Sequence, residues 1–154
     1  MSTRAPDVRL ATPDDADTVG RMLHDFNVEF ETPTPSAAFF GARFADLLGR
    51  DDVVVVLAGD GDGFAYLTLR PTPYDDGPLA QLEELYVVPG LRDQGIGTAL
   101  LALAVAEVRR RGAVEMHINV DEVDVDTRRF YERHGFTNIS PGFDYRMLCY
   151  IQEF

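Results

Sequence analysis

The spacing of apolar residues changes period along the chain, and each change marks an element. Val8-Arg9-Leu10-Ala11 predicts a short first strand. Thr12-Pro13-Asp14-Asp15 reads as a helix start, with Thr12 as N-cap, Pro13 at the first helical position and acids in the first turn. That helix is expected to run to Phe30, because Ala16, Val19, Leu23, Phe26 and Phe30 recur at helical spacing on one face. Thr32-Pro33-Thr34-Pro35 breaks it, and Ser36 caps a second helix through Phe39, Phe40, Phe44, Leu47 and Leu48. The β-branched run from Val53 to Ala58 predicts a buried strand. Gly59-Asp60-Gly61-Asp62-Gly63 turns the chain, and Phe64 to Arg70 returns as the hairpin partner. A proline-rich loop spans Pro71 to Pro78. Then follow a strand at Leu79–Val88, a helix at Gly95–Arg111, a strand at Val114–Val120, a helix at Val125–His134, and strands near Phe136–Ile139 and Tyr145–Gln152. This order predicts an α/β fold, a mixed sheet with helices on both faces. No repeat or low-complexity linker divides it, so residues 1–154 are expected to form a single domain.

The densest chemical signal lies between Leu85 and Leu101. A buried strand ends at Pro89, the loop Arg92-Asp93-Gln94-Gly95-Ile96-Gly97 follows, and Thr98-Ala99-Leu100-Leu101 opens a helix. Glycines at a helix start let backbone N–H groups converge, and the helix N-terminus adds partial positive charge. The loop therefore reads as a receptor for a pyrophosphate. It is not a P-loop, because no Gly-x-x-x-x-Gly-Lys-Ser/Thr occurs, and it is not a dinucleotide fingerprint, because Leu100 stands where the third glycine belongs. A second block, Asp124 to Phe136, joins a helix bearing Phe130-Tyr131 to Gly135-Phe136, with Gly135 expected as a left-handed helix C-cap.

In order and spacing the two blocks resemble the cofactor segments of the GNAT acyl-CoA N-acyltransferase superfamily. The resemblance implies the GNAT fold, a mixed, mostly antiparallel sheet of about seven strands flanked by about four helices. It implies acetyl-CoA as cosubstrate, with the pyrophosphate at Arg92, Asp93, Gln94, Gly95, Ile96, Gly97 and Thr98. It places pantetheine along Leu85, Tyr86 and Val87, where a bulge splays the strand and the free backbone groups of Leu85 and Val87 pair with the cofactor. Asn119, Asp124 and Thr127 are expected toward the cofactor as well. Asp124 departs from the asparagine common in the family: an ionised carboxylate accepts a hydrogen bond but does not donate one. Tyr131 is implied as the acid that protonates the departing thiolate.

The acceptor amine needs a base, since an alkylammonium is mostly protonated near neutral pH. Glu83 and Glu84 are the candidates. In a regular strand they point to opposite faces, so one can meet the amine. The stretch is similar to spermidine/spermine N-acetyltransferases, which carry an acid at the position of Glu83, nine residues before the arginine matching Arg92, and this favours Glu83. Other relatives, resembling aminoglycoside 3-N-acetyltransferases, share the acid at Asp124 and a segment like Met22 to Phe30.

Charge narrows the acceptor. The net charge is −12, and all 14 basic residues are arginine. Such a surface attracts small polycations and repels nucleic acid and anionic membranes. Asp25 and Glu29, late in the first helix, are further candidates for holding a cation, and His117 for acid–base work. No apolar run approaches the ~20 residues of a membrane span, and Met1-Ser2-Thr3-Arg4-Ala5-Pro6 lacks a leader's apolar stretch. A single cysteine, Cys149, leaves no disulfide framework and is expected as inert core, which points to the cytoplasm. No metal is expected, since Asp121, Glu122, Asp124 and Asp126 lack calcium-loop spacing. The expectation is thus an acetyl-CoA-dependent N-acetyltransferase acting on a primary amine, a small cationic one such as a polyamine or aminoglycoside. Two alternatives stay open. One is acetylation of a protein N-terminus or an amino acid, with Arg43 or Arg70 as carboxylate binder. The other is a non-catalytic acyl-CoA-binding regulatory module. The apolar end around Phe143, Tyr145, Met147, Tyr150 and Phe154 serves either the core or a homodimer contact.

Overall fold

A computed structural model describes residues 4–154. Met1-Ser2-Thr3, part of the stretch read for a leader, lies outside them. The chain divides into two compact units, one reaching His117 and the other Ile118–Phe154.

In the first unit, β1 (Val8–Leu10) leads through a 3₁₀ turn (Pro13–Asp15) into α1 (Ala16–Glu29) and α2 (Ala37–Leu47). Strands β2 (Val53–Ala58), β3 (Gly63–Arg70) and β4 (Leu79–Val87) follow, then a second 3₁₀ turn (Pro89–Leu91), α3 (Ile96–Arg110) and β5 (Glu115–Ile118), whose last residue belongs to the second unit. The sheet runs in the order β1-β2-β3-β4-β5, with β1 to β4 paired antiparallel.

Local chemistry sets the helix starts. The Asp15 carboxylate accepts from the Thr12 backbone N–H at 2.8 Å and from both prongs of Arg9 at 2.8 Å. These bonds, the Arg9 pair foremost, hold its carboxyl down to about 2. Ser36 Oγ accepts from the Phe39 N–H at 3.1 Å and caps α2.

Helices cover both faces of the sheet. Ala16, Val19, Met22 and Leu23 of α1 and Phe44 of α2 pack on Val53, Val55, Leu57, Phe64 and Tyr86. The intervening residues Val54 and Val56 are buried too, and α3, which packs on β2 and β3, buries Leu100, Leu101, Ala104 and Val108. A strand covered on both faces reads as a continuous apolar run, which is why Val53–Ala58 shows no alternation. Helices α1 and α2 cross at glycines: a Cβ added to Gly20 would lie 2.5 Å from the Gly41 nitrogen. At the far end of α3, the buried Glu107 carboxylate accepts from Arg110 (2.6 and 3.0 Å) and Arg111 (2.9 Å), which holds it down to about 2. Phe30 departs from its expected inward position. It lies one residue past α1 and is exposed.

The second unit holds α4 (Val125–Arg133). The strands expected near Phe136–Ile139 and Tyr145–Gln152 are not formed, so the described residues give a sheet of five strands rather than about seven. Alternating apolar residues mark a segment able to bury one face, but a strand also requires a neighbouring ladder. Here the Met147 N–H reaches the Asn138 carbonyl at 2.7 Å without a continuing ladder, and Phe143, Tyr145, Met147 and Tyr150 are exposed. Cys149 is exposed rather than core for the same reason. Strand β5 stops at Ile118, which leaves Asn119 beyond it.

Candidate active site

The register of β3 on β4 breaks once. Leu67 pairs with Leu82 and Tyr66 pairs with Glu84, which leaves Glu83 as an extra residue on β4. This is a β-bulge, and it corrects the expectation that the two acids face opposite ways. Tyr66 and Thr68 share one face of β3 by alternation. Glu84 stands opposite Tyr66, and Glu83 Oε1 accepts from Thr68 Oγ1 at 2.7 Å, so both carboxylates lie toward that face. Tyr66 packs edge-on against Phe44 of α2, which identifies it as the α1/α2 face.

The two acids differ in environment. Glu83 is exposed, whereas Glu84 is partly buried. Burial, and then the neighbouring Glu83 charge, push the Glu84 carboxyl up to about 7. Burial also raises the Tyr66 hydroxyl, with Glu83 adding to it.

Downstream of the bulge, the backbone of β4 is sorted between its two edges. The Val88 N–H donates to the Asp62 carbonyl at 2.9 Å. In an antiparallel ladder the hydrogen-bonded pairs alternate, so Tyr86 bonds to Phe64 while the backbone groups of Leu85 and Val87 face the other edge. The sequence resemblance asks for that orientation. One of these groups is engaged: Arg92 Nε donates to the Val87 carbonyl at 2.9 Å.

The loop after β4 is exposed from Arg92 to Gly95. Its backbone turns through two left-handed positions, Asp93 (φ 62°) and Gly95 (φ 83°). Gly95 is the N-cap of the 15-residue α3, whose first-turn N–H groups have no intrahelical acceptor. A Cβ added at Gly95 would meet nothing within 4 Å. An exposed turn with open space beside it and a helix N-terminus below fits a pyrophosphate. Arg92 folds back toward β4 and α1. Its Nη2 donates to Glu29 Oε2 of α1 at 2.8 Å, and its guanidinium lies 5.8 Å from the centre of the Tyr86 ring. Sequence reasoning listed Glu29 and Arg92 separately and missed their pairing across 63 positions, for which no local pattern exists.

The second unit carries the remaining expected residues. Asp124 caps α4, its Oδ1 accepting from the Thr127 N–H at 3.4 Å, so the carboxylate has a structural task of its own. Tyr131 is buried, with its ring against Phe130 (5.2 Å) and Phe136 (5.8 Å). Gly135 (φ 89°) takes the left-handed conformation expected of it. Asn119 is exposed. His117, in the first unit, has Nε2 3.4 Å from Glu115. Among the described residues no group of three or more His, Cys, Asp or Glu could hold a metal ion, and no helix is long and apolar enough to cross a membrane.

The strand with the bulged carboxylate pair runs into a glycine loop at a helix start, the order that the sequence resemblance called for. The family model "Acetyltransferase (GNAT) family" matches residues 19–136, and the chain belongs to that family. It is similar over its whole length to a crystal structure from Arthrobacter sp. FB24, provisionally described as an acetyltransferase. The identity is 49%, the TM-score 0.91, and 98% of that chain is covered. Acetyltransferase Atu2258 of Agrobacterium fabrum is 33% identical over 118 residues, 75% of this chain and 80% of that protein. An aminoglycoside N(6')-acetyltransferase type 1 of Klebsiella aerogenes is 35% identical over 92 residues, 57% of this chain and 60% of that one. The chain is an acetyl-CoA-dependent N-acetyltransferase with a GNAT fold.

Proposed function

We propose that the protein moves the acetyl group of acetyl-CoA directly to the primary amine of a small cationic molecule, a polyamine or an aminoglycoside-like compound. The observation that carries this reading is the bulged pair on β4: Glu84, partly buried opposite Tyr66, and Glu83, bonded to Thr68, share the α1/α2 face of the strand that leads into the glycine loop, and burial pushes the Glu84 carboxyl up to about 7. A base poised near the working pH combines the correct charge state with the strongest driving force for proton transfer. Glu84 is therefore the base, with Glu83 beside it as the charge that tunes it. The net charge of −12 and the similarity to an aminoglycoside acetyltransferase support a cationic acceptor.

The pyrophosphate sits on the loop from Arg92 to Thr98, and pantetheine pairs with the backbone of Leu85 and Val87 as an added strand would. The ammonium gives a proton to Glu84. The neutral nitrogen attacks the thioester carbonyl carbon, and the oxyanion takes a hydrogen bond from the backbone N–H of Val87. The C–S bond breaks, Tyr131 protonates the thiolate, the remaining extra proton of the amide nitrogen passes through water to restore the Tyr131 hydroxyl, and Glu84 returns its proton to solvent. Holding both reactants together supplies much of the rate. Asn119, Asp124 and Thr127 complete the cofactor contacts. The full chain acts as one catalytic domain in the cytoplasm, and the exposed apolar residues of the C-terminal segment meet a second copy in a homodimer.

The test is thiol release from acetyl-CoA across spermidine, an aminoglycoside, amino acids and short peptides, with Tyr131→Phe run in parallel. Release with the cationic amines that falls in the variant, at unchanged acetyl-CoA affinity, supports the reading. Release only with amino acids or peptides transfers it to those acceptors. Tight acetyl-CoA binding with no release from any of them transfers it to a regulatory module.

A further inference from the structure

Arg92 meets Glu29 and the Val87 carbonyl through one edge of its guanidinium. Nε donates to the carbonyl at 2.9 Å and Nη2 to the Glu29 carboxylate at 2.8 Å. That edge is a fork suited to bidentate binding of a phosphate. Both of its donors are occupied, and so is a carbonyl that the pantetheine arm would use. Arg92 and the Val87 carbonyl, both held in this contact, are groups that acetyl-CoA would use.

Glu29 is also poorly placed to stand alone. It is the last residue of α1, where the helix carries partial negative charge, and a carboxylate there is stabilised by a cation. Asp25 lies one turn earlier. Burial raises the Tyr86 hydroxyl, and Glu29 and then Asp25 add to the shift, so both carboxylates are close to that ring. With Arg92 withdrawn, Glu29 loses its ion-pair partner at the helix C-terminus, while Asp25 has His24 Nδ1 at 3.5 Å.

We propose that Glu29 is a specificity-determining carboxylate for the cationic acceptor, masked by Arg92 until the cofactor's pyrophosphate takes the guanidinium. Arrival of acetyl-CoA moves Arg92 from Glu29 to phosphate and frees the Val87 carbonyl. The exposed Glu29 then pairs with the acceptor's ammonium groups. Cofactor and acceptor thereby raise each other's affinity by the same factor, as linkage requires. This inference rests on the proposed function, since it needs acetyl-CoA at the loop and a cationic amine beside α1.

The experiment measures acetyl-CoA binding by calorimetry in the absence of any amine, for wild type, Glu29→Gln, Glu31→Gln and the same Glu29 change in an Arg92→Ala background. Glu31→Gln makes an equal change in net charge two residues further along. Breaking an exposed ion pair that opposes binding is expected to tighten acetyl-CoA by about two- to fivefold in Glu29→Gln. The gain shrinks at high salt and vanishes without Arg92. Glu29→Gln is also expected to raise KM for spermidine by about tenfold while leaving kcat near wild type. A general loss of folding would weaken the cofactor rather than tighten it. Unchanged or weaker binding in Glu29→Gln overturns the inference, as does equal tightening in Glu31→Gln. Failure of wild type to bind acetyl-CoA would instead overturn the proposed function on which it stands.

Discussion

Replacing Glu84 by Gln should make the enzyme slower and the protein sturdier at alkaline pH. The carboxyl is raised from 4.5 to about 7 by burial and by Glu83. Below pH 4.5 both folded and unfolded chains carry it protonated, and it costs nothing. As pH rises, the unfolded chain ionises first, so stability is lost through the interval up to about 7 and stays lost above it. The full shift corresponds to about 3 kcal/mol, and because the group is only partly shielded from water about 1–2 kcal/mol is the working figure. Gln carries no charge to bury, so Glu84→Gln should be more stable than wild type by about that amount at pH 8.5 and should match it more closely at pH 5. Urea unfolding at the two pH values measures this. In the thiol-release assay, kcat/KM of wild type should climb with pH, reach half its plateau at about 7 and level off above it, as the base loses its proton. The variant should lose that limb and about 100-fold in rate. A variant that keeps both the limb and the rate, while Glu83→Gln loses them, would refute the assignment and restore the sequence-based preference for Glu83. A variant less stable than wild type at pH 8.5 would refute the burial argument itself.

Three further outcomes are expected. Gly95→Ala puts a side chain at φ 83° beside open space, so it should lower folding stability by only about 1 kcal/mol yet weaken acetyl-CoA about tenfold, read by calorimetry. Glu107→Gln removes a carboxylate held down to about 2, whose stabilisation is present above pH 4.5 and lost as pH falls toward 2. Wild type should therefore exceed the variant by about 2 kcal/mol at pH 7, and the gap should close in acid titrations followed by circular dichroism. Gly20→Ala drives a methyl against the backbone of Gly41 and should cost about 1–3 kcal/mol, seen as a lower thermal midpoint with acetyl-CoA affinity retained.

Much of this fold was legible because its elements carry local signals. The valine run gave β2 to the residue, and Ser36 caps α2 as its position before Ala37 suggested. The glycine loop announced α3, and Gly135 announced the end of α4. What the sequence concealed depends on partners distant in the chain. The stretch Tyr145–Gln152 was read as a strand, but its apolar character describes one segment, and a ladder needs two. The bulge at Glu83 was equally hidden, since which residue goes unpaired is settled by the register on β3 and not by β4 alone. That one residue reverses the comparison of the two acids. Alternation counted through it sends Glu83 and Glu84 to opposite faces, and the folded ladder brings them to the same one. The ion pair of Glu29 with Arg92 was out of reach for the same reason.

The bulge has a bearing on how this strand tolerates change in length. Upstream of Glu83, odd-numbered residues such as Gln81 face the α1/α2 layer. Downstream, even-numbered residues do, and Tyr86 and Val88 join the core there only because of the extra position. Removing Glu83 would join two halves that are already in phase, leaving Leu82 opposite Leu67 and Glu84 opposite Tyr66. Because residues 83 and 84 are both glutamate, removing either leaves the same chain, whereas deleting a single residue from Leu79 to Gln81 or from Leu85 to Val87 would move side chains to the wrong side of the sheet. The strand therefore contains one place where a residue can be lost or gained without exchanging inside for outside. The chain has put a carboxylate there, next to the one that the chemistry uses.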